Sequence, residues 1–191
     1  GVDHKFTDID GYWAATYVDF LYNAGITTGY EDGTFRPNQN ISRAQFAAML
    51  YRYLGLKESN YTDVTLPFAD ADQISSWALN DMKAAYSLGL ITGSGSGGDL
   101  YGKPTATITR QEAAVMLAQA ARLCGLDTTV SDSERWELIP EGGCSDWAAN
   151  GMAFCLREGI LEREERAEEA VLRCDMARMV FRLLERGDLL S

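Results

Sequence analysis

The chain has 191 residues, 46% hydrophobic and 24% charged, a composition that builds a buried core and argues against disorder. Its net charge of -11 and sequence pI of about 4.5 repel phosphate backbones, so nucleic acid is not an expected partner, and no apolar run approaches the ~18 residues of a membrane span. With His4 as the single histidine and no C-x-x-C pair among Cys124, Cys144, Cys155 and Cys174, Ser/His or Cys/His catalysis and a structural zinc site are excluded, while the redox compartment stays open. Gly1 opens a sequence without a basic-then-apolar leader, as in a mature or trimmed fragment.

The first predicted element is a helix following Trp13. Val18 and Leu21 continue its stripe at helical spacing, and Gly25 is placed to end it in a left-handed conformation. The stretch "GYEDGTFRPNQNISRAQFAAML" then packs a Gly/Asp-rich turn before a second helix, whose start is written by the capping box Ser42-x-x-Gln45 and whose inner face is Ala47, Met49 and Leu50. "LKESNYTDV" reads as a linker.

The pattern then recurs. Trp77, Met82, Ala85 and Gly89 repeat the first helix, and the box Thr109-x-x-Glu112 with Ala114, Met116 and Leu117 repeats the second. "LDTTVSDSER" reads as another linker. In the third copy Trp147, Met152, Cys155 and Gly159 hold the first register, and Arg173, Ala177, Met179 and Val180 the second. Leu172 replaces the capping residue, so the helix formers of "EREERAEEAVLR" predict an earlier helix start, with "EREERAEE" as a solvated helical face.

From glycine to arginine the separations in the three copies are 18, 21 and 14 residues, the variation expected of the loop in a repeated helix-loop-helix unit. The boundaries fall at 1–57, 58–127 and 128–191. A two-helix unit of about 50 residues cannot bury enough surface alone, so the three should share a core. The tryptophans lie on the apolar stripe and read as core in preference to sugar platforms. Cys155 aligns with Leu21 and Ala85, and Cys124 with Leu54, so both read as core-facing. A Cys155–Cys174 bridge is an expectation for the third copy, to fix a helix without its cap.

These residues resemble the S-layer homology family. Copy 1 carries "FTDID", the Trp, "GITTGYEDGTFRP" and "ISRAQFAAML", with "SRAQ" where the family usually has Thr-Arg-Ala-Glu; copy 2 keeps "FAD", the Trp, "GLITG" and "ITRQEAAVML" but has "SGSGGDLYGKP" for the turn; copy 3 keeps the Trp, Gly, Arg and Ala-x-Met-Val face. The resemblance implies an all-α fold of three modules in a pseudo-threefold arrangement around a central three-helix bundle, monomeric as a pseudo-trimer. It implies an extracellular protein at the cell surface or cell wall. There, inter-module grooves hold secondary cell-wall polysaccharide, typically with a pyruvylated N-acetylmannosamine, and anchor surface proteins without a covalent bond. No catalysis, metal or cofactor is implied.

A pyruvyl ketal presents a carboxylate, which the forked guanidinium of Arg43 or Arg110 suits, and Ser42 and Thr109 place each near a helix start with its positive dipole end and spare N–H groups. Gly33 lets the turn approach a ligand, with Gly29, Tyr30 and Phe35 beside it; Asp8 and Asp70, and Trp13 and Trp77, complete the candidate ligand set. Each has a plainer reading: the arginines could bond a neighbouring carboxylate, and Asp8 and Asp70 could be turn or cap residues. Arg173 reads as structural. One strong groove, lined by copies 1 and 2, is expected.

Enzyme readings find little. "GGDLYGKPT" nears a phosphate loop but has Pro104 at the Ser/Thr position, no spacing singles out a carboxylate pair, and "DIDG" and "YEDG" lack the spaced ligands of a calcium loop. The remaining rival is a structural or protein-interaction module that has lost glycan binding.

Overall fold

The computed structural model describes residues 5–55, 61–95 and 98–187. His4, part of the first linker and Gly97 of the phosphate-loop-like stretch lie outside them. The described residues form an all-α fold, with isolated bridges but no strand among them. Its helices are α1 (Ala15–Asn23), α2 (Arg43–Tyr53), α3 (Ser76–Ser87), α4 (Arg110–Leu123), α5 (Asp132–Leu138), α6 (Ala149–Arg157) and α7 (Arg173–Arg186).

The periodic positions become the core. Val18, Leu21, Met82, Ala85, Met152 and Cys155 are buried on the shorter helices, as are Ala47, Met49, Leu50, Ala114, Met116, Leu117, Ala177, Met179 and Val180 on the longer ones. Gly25, Gly89 and Gly159 stop α1, α3 and α6 with φ of 76°, 74° and 72°. Both predicted capping boxes form: Ser42 Oγ accepts from the Gln45 N–H at 3.1 Å and Thr109 Oγ1 from the Glu112 N–H at 3.3 Å.

Several expectations are corrected. Trp13, Trp77 and Trp147 are 48%, 55% and 61% exposed, because each stands where the chain enters its helix and the following Ala14, Ala78 or Ala148 takes the buried place. The segment "EREERAEE" is a chain of turns, and α7 starts at Arg173 in the same register as α2 and α4. Half of the capping box survives without the hydroxyl: the Asp175 carboxylate accepts the Leu172 N–H at 3.2 Å, as the Gln45 and Glu112 side chains do for Ser42 and Thr109. Helix α5 begins within the second linker and runs past it, opened by a capping box of Ser131 and Glu134. Cys124 is exposed at the end of α4, and the four cysteines are free. Cys155 faces the Ala114 carbonyl and Cys174 the Tyr12 hydroxyl, so the expected bridge does not form.

The copies are interlaced. Helix α3 packs on α2, α6 on α4 and α1 on α7, so each short helix rests on the long helix of the preceding copy, and α2, α4 and α7 each meet the other two. Phe181 of α7 takes Tyr17 and Phe20 of α1 edge-on, with centroids 5.0 and 5.2 Å apart. Ahead of the long helices three backbone hydrogen bonds close a ring: Ile41 donates to Val171 at 3.0 Å, Val171 to Ile108 at 2.9 Å and Ile108 to Ile41 at 3.1 Å.

Candidate functional site: the grooves beside the long helices

The same interlacing supplies the first N–H groups of each long helix. Those of Arg43 and Ala44 donate to Ala106 and Pro104, those of Arg110 and Gln111 to Glu169 and Ala167, and those of Arg173 and Cys174 to Gln39 and Pro37, all within 2.8–3.0 Å. The N–H groups that the sequence reading reserves for an anion are therefore spoken for, which leaves side chains as the anion-holding groups.

Two of the three loops that present the accepting carbonyls are clamped by aspartate. Asp8 accepts the N–H groups of Phe35 and Arg36, and Asp70 those of Gly102 and Lys103, each at 2.8 Å. The two aspartates thus hold turns, and the Gly102 and Lys103 amides, turned to Asp70, cannot cradle a phosphate. Gly33 forms the turn, its N–H donating to Tyr30 O and its carbonyl accepting from Thr7. Phe35 is fully buried, and its carbonyl accepts from Arg173 Nε at 2.8 Å.

Two grooves follow from the interlacing, each made by the post-glycine loop and long helix of one copy, the tryptophan of the next and the arginine of the one before, and a third position brings together the corresponding side chains. The first, about 470 Å³, is lined by Thr27 to Glu31, Gln45, Ala48, Met49, Arg52, Trp77 and Arg173. It shares Tyr30, Gln45 and Trp77 with an adjoining depression of about 230 Å³ that includes Ser42 and Thr107. Arg173 is 4% exposed, and its guanidinium lies 4.9 Å from the Tyr30 ring centroid and 4.5 Å from that of Phe35. Burial pulls its pKa below the ordinary value, with Tyr30 and Asp8 pulling the other way and Arg36 adding to the depression. It still carries its charge. Among the described residues Arg173 forms no ion pair, and the Phe35 carbonyl is the one acceptor found for it. In the same groove the buried Thr27 hydroxyl has no hydrogen-bond partner. Gln45 gives its Oε1 to the Ser42 N–H at 3.1 Å, which directs its amide nitrogen away from the helix start. Glu31 stands at the margin.

The second groove, about 410 Å³, holds Arg43, Leu90 to Ser94, Glu112, Val115, Met116 and Trp147. Arg43 pairs with Glu112 there and donates to the Gly102 carbonyl at 3.1 Å. At the third position Arg110 pairs with Glu165, Glu169 and Asp175 at 3.4, 3.3 and 3.2 Å, Glu165 also pairs with Arg178, and Arg178 lies 4.7 Å from the Trp13 ring centroid.

The structure therefore distributes the sequence candidates. Gly29, Tyr30 and Trp77 share the first groove; Arg43 lies in the second; Arg110 and Trp13 belong to the third position; Ser42 and Thr109 cap helices; Asp8, Asp70, Gly33 and Phe35 build loops. The arginine beside the intact turn of copy 1 is Arg173. Its register with Arg43 and Arg110 was the signal for it, and the partnering of one copy's turn with another copy's arginine is not written locally.

The family model for the S-layer homology domain matches residues 5–47 and 67–114. The chain is 30% identical to an amylopullulanase of Thermoanaerobacterium thermosulfurigenes over 97% of its length and 10% of that protein, and 29% identical to the exoglucanase XynX of Acetivibrio thermocellus over 96% of its length and 16% of that protein. A cellulosome-anchoring protein of Acetivibrio thermocellus is 31% identical over 59% of this chain and 25% of its own length. The chain thus spans a tenth to a quarter of these relatives.

Proposed function

The chain belongs to the S-layer homology family, a family of non-catalytic modules that attach surface proteins to the cell wall, and from this premise we propose that its first groove binds an acidic wall polysaccharide. Its place is the cell surface or cell wall. The enzymatic names of the relatives describe whole proteins of which this chain matches a small part. The three copies, 1–57, 58–127 and 128–191, are read as modules around a pseudo-threefold axis, monomeric as a closed triplet; the ring of backbone hydrogen bonds supports this reading.

The observation that carries the proposal is Arg173: a buried guanidinium with no ion pair among the described residues, Asp8 acting on it without pairing, lining a groove with the Gln45 amide and, buried in its wall, the unpartnered Thr27 hydroxyl. A pyruvyl ketal carboxylate on an amino sugar matches that cation, and the exposed indole of Trp77 with the Tyr30 ring suits the C–H faces of a sugar.

The test is calorimetry with purified wall glycan, intact and stripped of pyruvyl groups. The intact chain binds only the pyruvylated form. Arg173→Ala weakens binding by about 1.5–3 kcal/mol, while Arg43→Ala, which opens an ion pair elsewhere, has a smaller effect. Equal binding of both glycans rejects the carboxylate reading, and no binding to either favours a structural module.

A further inference from the structure

In copies 1 and 2 the segment leading into the short helix buries a phenylalanine against that helix, Phe6 at 2% and Phe68 at 4% exposure. Each meets edge-on the tyrosine nine places after the tryptophan, Phe6 with Tyr22 at 5.5 Å and Phe68 with Tyr86 at 5.6 Å between centroids. Each also lies against the glycine four places after the helix-stopping one, Gly29 or Gly93, where a Cβ would strike the ring. Two residues on, Asp8 and Asp70 take the paired amides of the loop. Copy 3 has neither side chain. Residues 138–145, which lead toward α6, contain no aromatic residue and no aspartate. Leu156 takes the place of the tyrosine and Arg163 that of the glycine. Arg163 lies outside the left-handed region that Gly29 and Gly93 occupy at φ 70° and 84°, so its Cβ takes a different direction from theirs. A cavity of about 450 Å³ opens here, between Met152 and Leu156 of α6, Ile139 and Pro140 before it, and the loop of Arg163 and Arg166.

We infer that this cavity receives an aromatic side chain of another polypeptide, carried on a segment in which an acidic residue follows two places later, the pair that copies 1 and 2 supply from within. The inference is independent of the glycan reading of the first groove. The floor is apolar, with Leu156 standing where Tyr22 and Tyr86 hold their phenylalanines. The loop amides equivalent to the aspartate-clamped pairs are those of Glu165 and Arg166, since Ala167 serves α4 as Pro37 serves α7 and Pro104 serves α2. Glu165 turns its N–H to the Glu162 carbonyl at 3.1 Å, and among the described residues no acceptor is found for that of Arg166. The rim carries both signs. Glu165 is committed to Arg110 and Arg178, while Arg163 and Arg166 form no ion pair among the described residues and have Glu164 and Glu168 beside them. Such a rim suits a segment of mixed charge, as Lys5 and Asp8 flank Phe6. The cavity also adjoins a second of about 360 Å³, with which it shares Ile139, Pro140, Gly142 and Cys144 and which ends at Trp136, 71% exposed. Two adjoining cavities along one loop fit successive side chains of an extended segment.

The probe is the acetylated, amidated hexapeptide of residues 5–10, Lys-Phe-Thr-Asp-Ile-Asp. Titrated into the nitrogen-15-labelled chain, it should shift the amide resonances of Met152, Leu156 and residues 163–168 and leave those around the first groove in place. Alanine for its phenylalanine should weaken binding roughly tenfold or more, and asparagine for its first aspartate about threefold. On the chain, Leu156→Trp fills the cavity from its wall and should abolish the response. The exposed Arg166→Glu reverses one charge of the rim without touching the core, and should weaken binding about threefold even if the first variant does not fold. The resonance dispersion of each variant establishes its fold before titration. Unmoved amides at the cavity, equal binding of the phenylalanine and alanine peptides, or undiminished binding to folded Leu156→Trp overturns the inference. So does a shift of the same amides by purified wall glycan and not by the peptide, which would make the cavity a sugar site. None of these outcomes touches the reading of the first groove, whose amides the glycan titration reports separately.

Discussion

Replacing Arg110 by methionine probes the ion cluster that Arg110 forms with Glu165, Glu169 and Asp175. The side chains of Arg110, Glu165 and Asp175 are 10%, 12% and 10% exposed, so removing the cation leaves two carboxylates to share Arg178, at 3.1 and 3.8 Å, in a setting where water screens them poorly, and the full cost of an unpaired buried charge is an upper bound. Glu169, at 58% exposure, adds little. Breaking a buried pair by deleting one partner costs about 3–5 kcal/mol. For a chain of this size that lowers Tm by about 6–20 °C, at about 2–4 °C per kcal/mol. Urea unfolding followed by tryptophan fluorescence, with calorimetry beside it, measures both quantities. The comparison is Arg135→Ala, which removes the Asp132 pair on the exposed α5 and should cost less than about 1 kcal/mol. A double-mutant cycle adds the second check: Glu165→Gln should cost less in the Arg110→Met background than in the unaltered chain, because its carboxylate no longer has that cation to lose. A loss below about 1 kcal/mol for Arg110→Met, or additivity in the cycle, would refute the argument that the cluster is a desolvated unit.

Three further outcomes follow from the geometry. Gly29→Ala places a Cβ at 2.2 Å from Phe6 Cε1 and fixes a side chain at φ +70°, so it should cost about 2–4 kcal/mol in urea titration, against about 1 kcal/mol for Gly25→Ala, where nothing lies within 4 Å. Asp70→Ala removes the acceptor of the Gly102 and Lys103 amides; hydrogen exchange at those two amides should accelerate at least tenfold while the interior of α4 keeps its protection. With a thiol reagent on the native chain Cys124 should react first, Cys144 more slowly because burial raises its pKa, and Cys155 and Cys174 only on unfolding, since burial pushes both thiols up; early labelling of Cys155 would contradict the packing of α6 on α4.

The parts of the fold that depend on near neighbours were legible. Val18 and Leu21, or Ala47 and Leu50, reveal their helices because the spacing and the burial belong to one element, and Ser42 with Gln45 announces a helix start within four residues. Distant pairings were not. The propensity of "EREERAEE" for helix yields to two demands made elsewhere: the carbonyls of Ala167 and Glu169 satisfy the first N–H groups of α4, and the Glu165 carboxylate neutralises Arg110 and Arg178. The tryptophans misled for a related reason. Each sits at the mouth of its helix, where Ala14, Ala78 and Ala148 complete the stripe that the indoles were assigned. Arg173 reads as structural within its own copy, whereas its Nε meets the Phe35 carbonyl of the copy 1 turn, more than a hundred residues away.

The packing of α1 on α7 means that the first copy waits for the third. A chain emerging from a ribosome cannot complete its opening copy until the final helix is made, so its folding should advance in a single late step. Cutting between copies would likewise free no stable third, and an evolutionary gain or loss of one copy would leave a short helix without a seat. The unit that folds should be the trio.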